Sequence, residues 1–247
     1  MMHVWRWLSF LIAATVGLVS IPAQAAIVIT GTRVIYPEKS RQVSVRLNNV
    51  EDTPVLVQAW IDDGDTSVPV EKLDVPFIIT PPVFRAEGGK GQTLRVKFTG
   101  KAMPADRETV YWLNILEIPP KPVDADSRNM LQLAFGTRIK LFYRPAALRD
   151  DPSAGRAGLT WTAARNAEGK QVLRVGNPTG YHVSLDSVSA KAGTADISYQ
   201  PQMVPPFGSV ELSQVGDRNV SPPSGTAITY SLINDFGATV EDVAAVQ

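Results

Sequence analysis

The side chains able to make or break bonds are few, and their spacing does not build a reaction site. The chain has two histidines and no cysteine. His182 follows a turn and opens a strand pattern, and a single histidine there supports no Ser–His or Cys–His arrangement. Without cysteine there is neither a thiol nucleophile nor a thiolate metal ligand. Asp62, Asp63 and Asp65 could hold calcium, but their spacing misses the twelve-residue loop and no glutamate closes it. They read as a solvated hairpin turn. Gly88-Gly89-Lys90-Gly91 has the look of a phosphate loop. No Ser or Thr follows the lysine, and a strand comes next, so no helix N-terminus is there to hold phosphate. The expectation is a protein without catalytic residues, cofactor or metal. Lys plus Arg and Asp plus Glu both number 24, which leaves no electrostatic footprint for nucleic acid or an anionic membrane.

What the chain does carry is strands. Between residue 131 and Pro145, apolar side chains recur at Leu131, Leu133, Phe135, Ile139, Leu141 and Tyr143. Gln132, Arg138, Lys140 and Arg144 take the other parity. A period of two means an extended strand, because successive side chains point to opposite faces. Pro145 ends it for want of a ladder N–H. Fourteen residues from 131 to 144 are long against a usual strand of about five or six. Such a strand can be a long core element, bent at Gly136 where strand glycines mark bulges. It can also complete its own domain with one half and offer the other half to something else.

Shorter strand patterns precede it at Val43-Ser44-Val45-Arg46-Leu47, residues 55–61, Phe77-Ile78-Ile79, Leu94-Arg95-Val96-Lys97-Phe98 and residues 110–115. Others follow at residues 159–162, 171–175, 182–188, 197–199, 209–212 and 226–233. No segment keeps a 3.6 period over a helix length. Many short strands with regular turns predict an antiparallel sandwich or barrel. The proline- and charge-rich stretch 144–156 reads as a linker, which gives domains at 26–146 and 147–247. Residues 1–25 read as a cleavable secretory signal: Arg6, an apolar run over 8–21, then Ala23-Gln24-Ala25. The run is too short to cross roughly 30 Å of hydrocarbon. The mature chain is therefore expected outside the cytoplasm, not inserted in a membrane, and held together by core burial alone.

Arg138-Ile139-Lys140-Leu141-Phe142-Tyr143-Arg144-Pro145 resembles the signature of the periplasmic pilus-assembly chaperones of the chaperone–usher pathway. Further segments match that family in order: Thr32-Arg33-Val34-Ile35-Tyr36, Gln58-Ala59-Trp60, Thr80-Pro81-Pro82-Val83-Phe84-Arg85, and Asp106-Arg107-Glu108-Thr109 with Trp112-Leu113-Asn114. Ile118-Pro119-Pro120, Asn177-Pro178-Thr179, Pro206-Phe207 and Ile233-Asn234-Asp235-Phe236-Gly237 complete the series. The ten residues between Pro120 and Leu131 resemble the short-loop subclass. Ala86 and Gly88-Gly89 depart from the family pattern, as does the absence of a second-domain disulfide.

The resemblance implies two immunoglobulin-like β-sandwiches set at an angle around a cleft. It implies a chaperone that lends its long strand to a pilus subunit in the periplasm and then delivers the subunit to the outer-membrane usher. Arg33 and Lys140 match the cations that hold the subunit's C-terminal carboxylate. Leu131, Leu133 and Phe135 match the donated apolar residues. Glu108, Arg144 and Asp235 match a charge network between the domains. The rival readings are a secreted pilin-like or adhesin module, which resembles one incomplete sandwich with a cysteine pair, and a secreted β-sandwich enzyme.

Overall fold

The structure is a computed structural model that describes residues 26–120, 133–148, 158–193, 195–216 and 219–247. The expected signal segment lies outside the described residues, as do Leu131 and much of the expected linker. The first half contains β1 (Ile27–Ile29), β2 (Arg33–Pro37), β3 (Val43–Asn49), β4 (Val55–Asp62), β5 (Phe77–Thr80), β6 (Val83–Ala86), β7 (Gly91–Phe98), β8 (Thr109–Ile118) and β9 (Phe135–Arg144). The second half contains β10 (Thr160–Arg165), β11 (Gln171–Gly176), β12 (Val183–Ala192), β13 (Ala195–Tyr199), β14 (Met203–Val204), β15 (Ser209–Ser213), β16 (Ala227–Ile233) and β17 (Thr239–Ala245).

Each half is a two-sheet sandwich. In the first, sheet β1-β3-β7-β5 faces sheet β2-β9-β8-β4-β6. In the second, β10-β11-β15 faces β13-β12-β16-β17, with β14 on β12. Alternation in the sequence becomes alternation in burial. Along β3, Val45 and Leu47 go inward while Ser44 and Arg46 stay in solvent. Burying one such aliphatic side chain is worth about 1.5–3 kcal/mol, and this summed burial holds a disulfide-free chain together. Tyr36, Phe77, Phe98, Tyr111 and Tyr143 interlock in the first core, with ring centroids 4.7 to 6.5 Å apart. Trp161 packs on Tyr230 at 4.8 Å in the second.

The two turns that mimic ligand sites have structural explanations. Asp62 is not the solvated turn residue expected: it ends β4 and is buried, accepting from the Gly64 N–H at 2.8 Å, from Asn114 at 2.6 Å and from Arg138 at 2.5 Å, so its oxygens are engaged by protein donors. Gly88-Gly89 forms the β6–β7 turn, where a Cβ on Gly88 would sit 2.1 Å from the Asp52 carbonyl oxygen.

The long strand differs from expectation in two ways. It begins at Phe135, and Leu133 and Ala134 precede it outside the ladder. The bend expected at Gly136 is absent: the register with β8 runs unbroken from Thr109↔Tyr143 to Glu117↔Phe135. No extra residue is inserted there, and the space beside Gly136 is open.

Candidate functional site

Two strands meet in parallel at the centre of the site. β2 pairs with β9 from Arg33↔Lys140 to Pro37↔Arg144. Val34, Tyr36, Leu141 and Tyr143 point into the core, so period-two alternation sends Arg33 and Lys140 to the other face, side by side. That face is covered by the second domain. Arg33 Nη1 donates to the Ile233 carbonyl at 2.8 Å, at the end of β16. Lys140 Nζ donates to Ser184 Oγ at 3.3 Å, on β12. The Arg33 guanidinium also lies 5.9 Å from the Phe142 ring centroid.

Both cations are half-buried, and neither forms an ion pair with a carboxylate among the described residues. Arg33 Nε is buried without a hydrogen-bond partner. Burial pulls the Lys140 ammonium below its ordinary pKa, and the neighbouring Arg33 charge adds to this. Burial likewise lowers Arg33, with Asp235 and Glu108 acting in the opposite direction. Two like charges across one strand pair repel each other. A carboxylate placed here would relieve that repulsion and take up the spare donors of a guanidinium fork and an ammonium.

Four residues above Lys140, on the same face, Arg144 organises a buried network. Its Nε donates to Glu108 Oε1 at 2.8 Å, and Nη1 and Nη2 donate to the two oxygens of Asp235 at 2.7 and 3.0 Å. Glu108 Oε2 accepts the His182 backbone N–H at 2.8 Å. The structure thus brings Glu108, Arg144 and Asp235 together, and the last belongs to the β16–β17 loop of the other domain. Burial works to lower the Arg144 pKa, but the bonds to Asp235 and the Glu108 charge outweigh it and raise the group above its ordinary value. Arg144 also lies over the Tyr181 ring at 5.3 Å.

At the other end of β9 the strand is open. β2 stops at Arg33↔Lys140, so residues 135–139 pair with β8 and have no ladder partner on their second side among the described residues. Leu133 and Phe135 are 55% and 42% exposed. An open edge with large apolar side chains is a template for another strand. Burial along the strand climbs from Phe135 to a fully buried stretch at residues 141–144. Its two halves therefore have different surroundings.

Sequence reading missed Phe142 and His182. Phe142 is buried on the polar parity of β9, and its ring centroid lies 5.5 Å from that of His182. The available signal was the run Leu141-Phe142-Tyr143, apolar on both parities, which marks a strand covered on both faces. His182 Nδ1 lies 3.6 Å from Glu108 Oε2, at the domain junction.

Comparison with known proteins agrees with this architecture. Residues 26–149 match the family described as pili and flagellar-assembly chaperone, PapD N-terminal domain. Residues 155–244 match the pili assembly chaperone PapD C-terminal domain. The chain is 40% identical to the chaperone protein FimB/FhaD of Bordetella pertussis, over 95% of this chain and 93% of that one. It is 44% identical to the probable fimbrial chaperone YadV of Escherichia coli, over 88% of each. The crystal structure of YadV superposes with a TM-score of 0.76, covering 90% of this chain and all of that one at 39% identity. The SafB chaperone of Salmonella enterica, solved in complex with the SafA pilin, superposes at 0.73 over 91% of this chain and 98% of that one, at 30% identity. Two all-β domains, immunoglobulin-like as in these structures, place the chain in the PapD family of pilus-assembly chaperones.

Proposed function

We propose that this protein is a non-enzymatic periplasmic chaperone. It captures pilus subunits through the open edge of β9, fixes their C-terminal carboxylate between Arg33 and Lys140, and passes them to an outer-membrane usher. The observation that carries the reading is the cation pair: two adjacent half-buried charges with spare donors, at the foot of a strand whose far half pairs with β8 alone and is open on its other edge among the described residues. Leu133 and Phe135, with Leu131, are the donated side chains. The Glu108–Arg144–Asp235 network fixes the angle at which the second domain overhangs the anchor. The SafB–SafA complex supports the choice of a pilin as partner.

The test is co-expression with the pilin encoded beside the chaperone gene. The parent protein gives a soluble one-to-one complex. Arg33→Ala and Lys140→Ala give a folded chaperone whose complex is weakened about ten- to a hundredfold, since each removes charge-assisted bonds worth about 1.5–3 kcal/mol. Undiminished capture by both variants would overturn the anchor, and unfolding of both would make the cations structural.

The same site sets a pH dependence. Free Lys140 has a depressed pKa, so as the pH rises it loses its proton earlier than an ordinary lysine. A bound carboxylate favours the ammonium and raises that pKa again, so binding takes up protons in this range. Affinity should be constant below the depressed pKa and fall as the pH climbs through it. Calorimetry in buffers of different ionisation enthalpy reads the proton uptake. Lys140→Arg should abolish the fall, and a flat profile in the parent would contradict carboxylate capture by Lys140.

A further inference from the structure

The segment 106–108 makes a second set of contacts with the other domain. Phe207 is the one non-glycine residue with a positive φ among the described residues, at 52°. That conformation strains an L-residue and suits glycine. Phe207 is 50% exposed and takes no part in the core of its own domain. Its charged neighbour lies across the junction: the Arg107 guanidinium is 5.1 Å from the ring centroid. Arg107 is held in place by Asp106, with Nε to Oδ1 at 3.0 Å and Nη2 to Oδ2 at 2.9 Å.

The surrounding backbone ties the same loops together. The Phe207 N–H donates to the Thr179 carbonyl at 3.0 Å, and the Glu108 N–H donates to the Gly180 carbonyl at 2.8 Å. A Cβ on Gly180 would lie 2.6 Å from the Asp106 carbonyl oxygen and 2.8 Å from Leu148 Cδ2. The domains therefore approach here as closely as a glycine permits. A strained, half-exposed aromatic at this place contributes little to its own fold and stacks on the neighbouring domain.

We propose that Arg107 and Phe207 form a second lock on the domain angle, beside the Glu108–Arg144–Asp235 network, with Phe207 the positioning residue. The proposal concerns the free chain and holds whichever subunit it binds. Its consequence for capture rests on the chaperone reading.

The chain contains no cysteine, so cysteines placed at exposed Lys97 and Lys191 give one spin label per domain. Pulsed electron–electron resonance on the free protein then reads the interdomain distance distribution. Phe207→Gly relieves the strained φ, so the second domain should melt at or above the parent temperature while the distribution broadens severalfold. Arg107→Ala should broaden it to the same extent, and the double variant no further. Phe207→Tyr should restore the parent width. A Phe207→Gly distribution as narrow as the parent's would overturn the proposal. Should that narrow variant still capture the pilin, the chaperone reading stands without the lock; should the parent itself fail to capture it while Phe207→Gly broadens, the lock stands without that reading.

Discussion

Arg144→Ala should lower the stability of the two-domain unit by about 3–5 kcal/mol, the cost of removing one partner from a buried ion pair. Arg144 and Glu108 are both almost fully buried, and Asp235 is largely so. Truncating Arg144 leaves Glu108 and Asp235 without the cation that compensates their desolvation. The alanine also vacates the space over Tyr181. Asp235→Ala should cost less, about 1–3 kcal/mol, because Arg144 keeps its bond to Glu108. Both exceed the roughly 0.5 kcal/mol of an ordinary surface substitution. For a chain of this size, 3–5 kcal/mol corresponds to a fall in Tm of about 6–20 °C. Scanning calorimetry on the two variants should give that order. Equal shifts below a degree or two would mean that the three charges are solvated and set no angle.

The strands with clean alternation, such as β3 and β7, are legible in the sequence because one face meets a core and the other meets water. β17 was not legible. It lies at the edge of its sheet, and its half-buried row is Val240, Asp242 and Ala244, so an acidic residue breaks the apolar period. β1 has three residues, too few to establish a period. β2 pairs in parallel with β9, a long-range partnership that no local pattern specifies. For the same reason composition and spacing could not place Arg33 beside Lys140, or Asp235 beside Arg144. Only the family resemblance pointed to those groupings. The two-sided role of β9 was half legible: the alternation predicts a strand, but the change from exposed to buried along it depends on where β2 ends.

The remaining prediction separates a donated strand from a core strand, and the register decides which substitution can do so. On sequence alone the natural choice is Phe135→Glu, expected to keep its melt and lose the pilin. The structure sets Glu117 directly opposite Phe135, on the same face. The Glu117 carboxyl is buried and accepts the Ile27 N–H at 3.0 Å. Burial raises its pKa, while bonds from the Ile27 and Ala26 backbones pull it down. A second carboxylate opposite would add like-charge repulsion, and a weakened melt would then say nothing about donation. Phe135→Lys places a cation beside Glu117 and avoids the conflict. Leu133→Glu has no ladder partner among the described residues and is a second clean probe. Both side chains are about half exposed in the free protein, so each variant should stay within about 0.5 kcal/mol of the parent, or about 2 °C in Tm. In the complex each side chain would bury apolar surface worth about 1.5–3 kcal/mol, and a charged side chain in its place loses that burial and must give up its hydration to enter the groove. Pilin capture should therefore fall at least tenfold for Leu133→Glu and further for Phe135→Lys, whose side chain is larger and nearer the Lys140 anchor. A collapsed melt in both variants would assign these residues to the chaperone's own core, and an intact melt with undiminished capture would show that β9 donates nothing at this end.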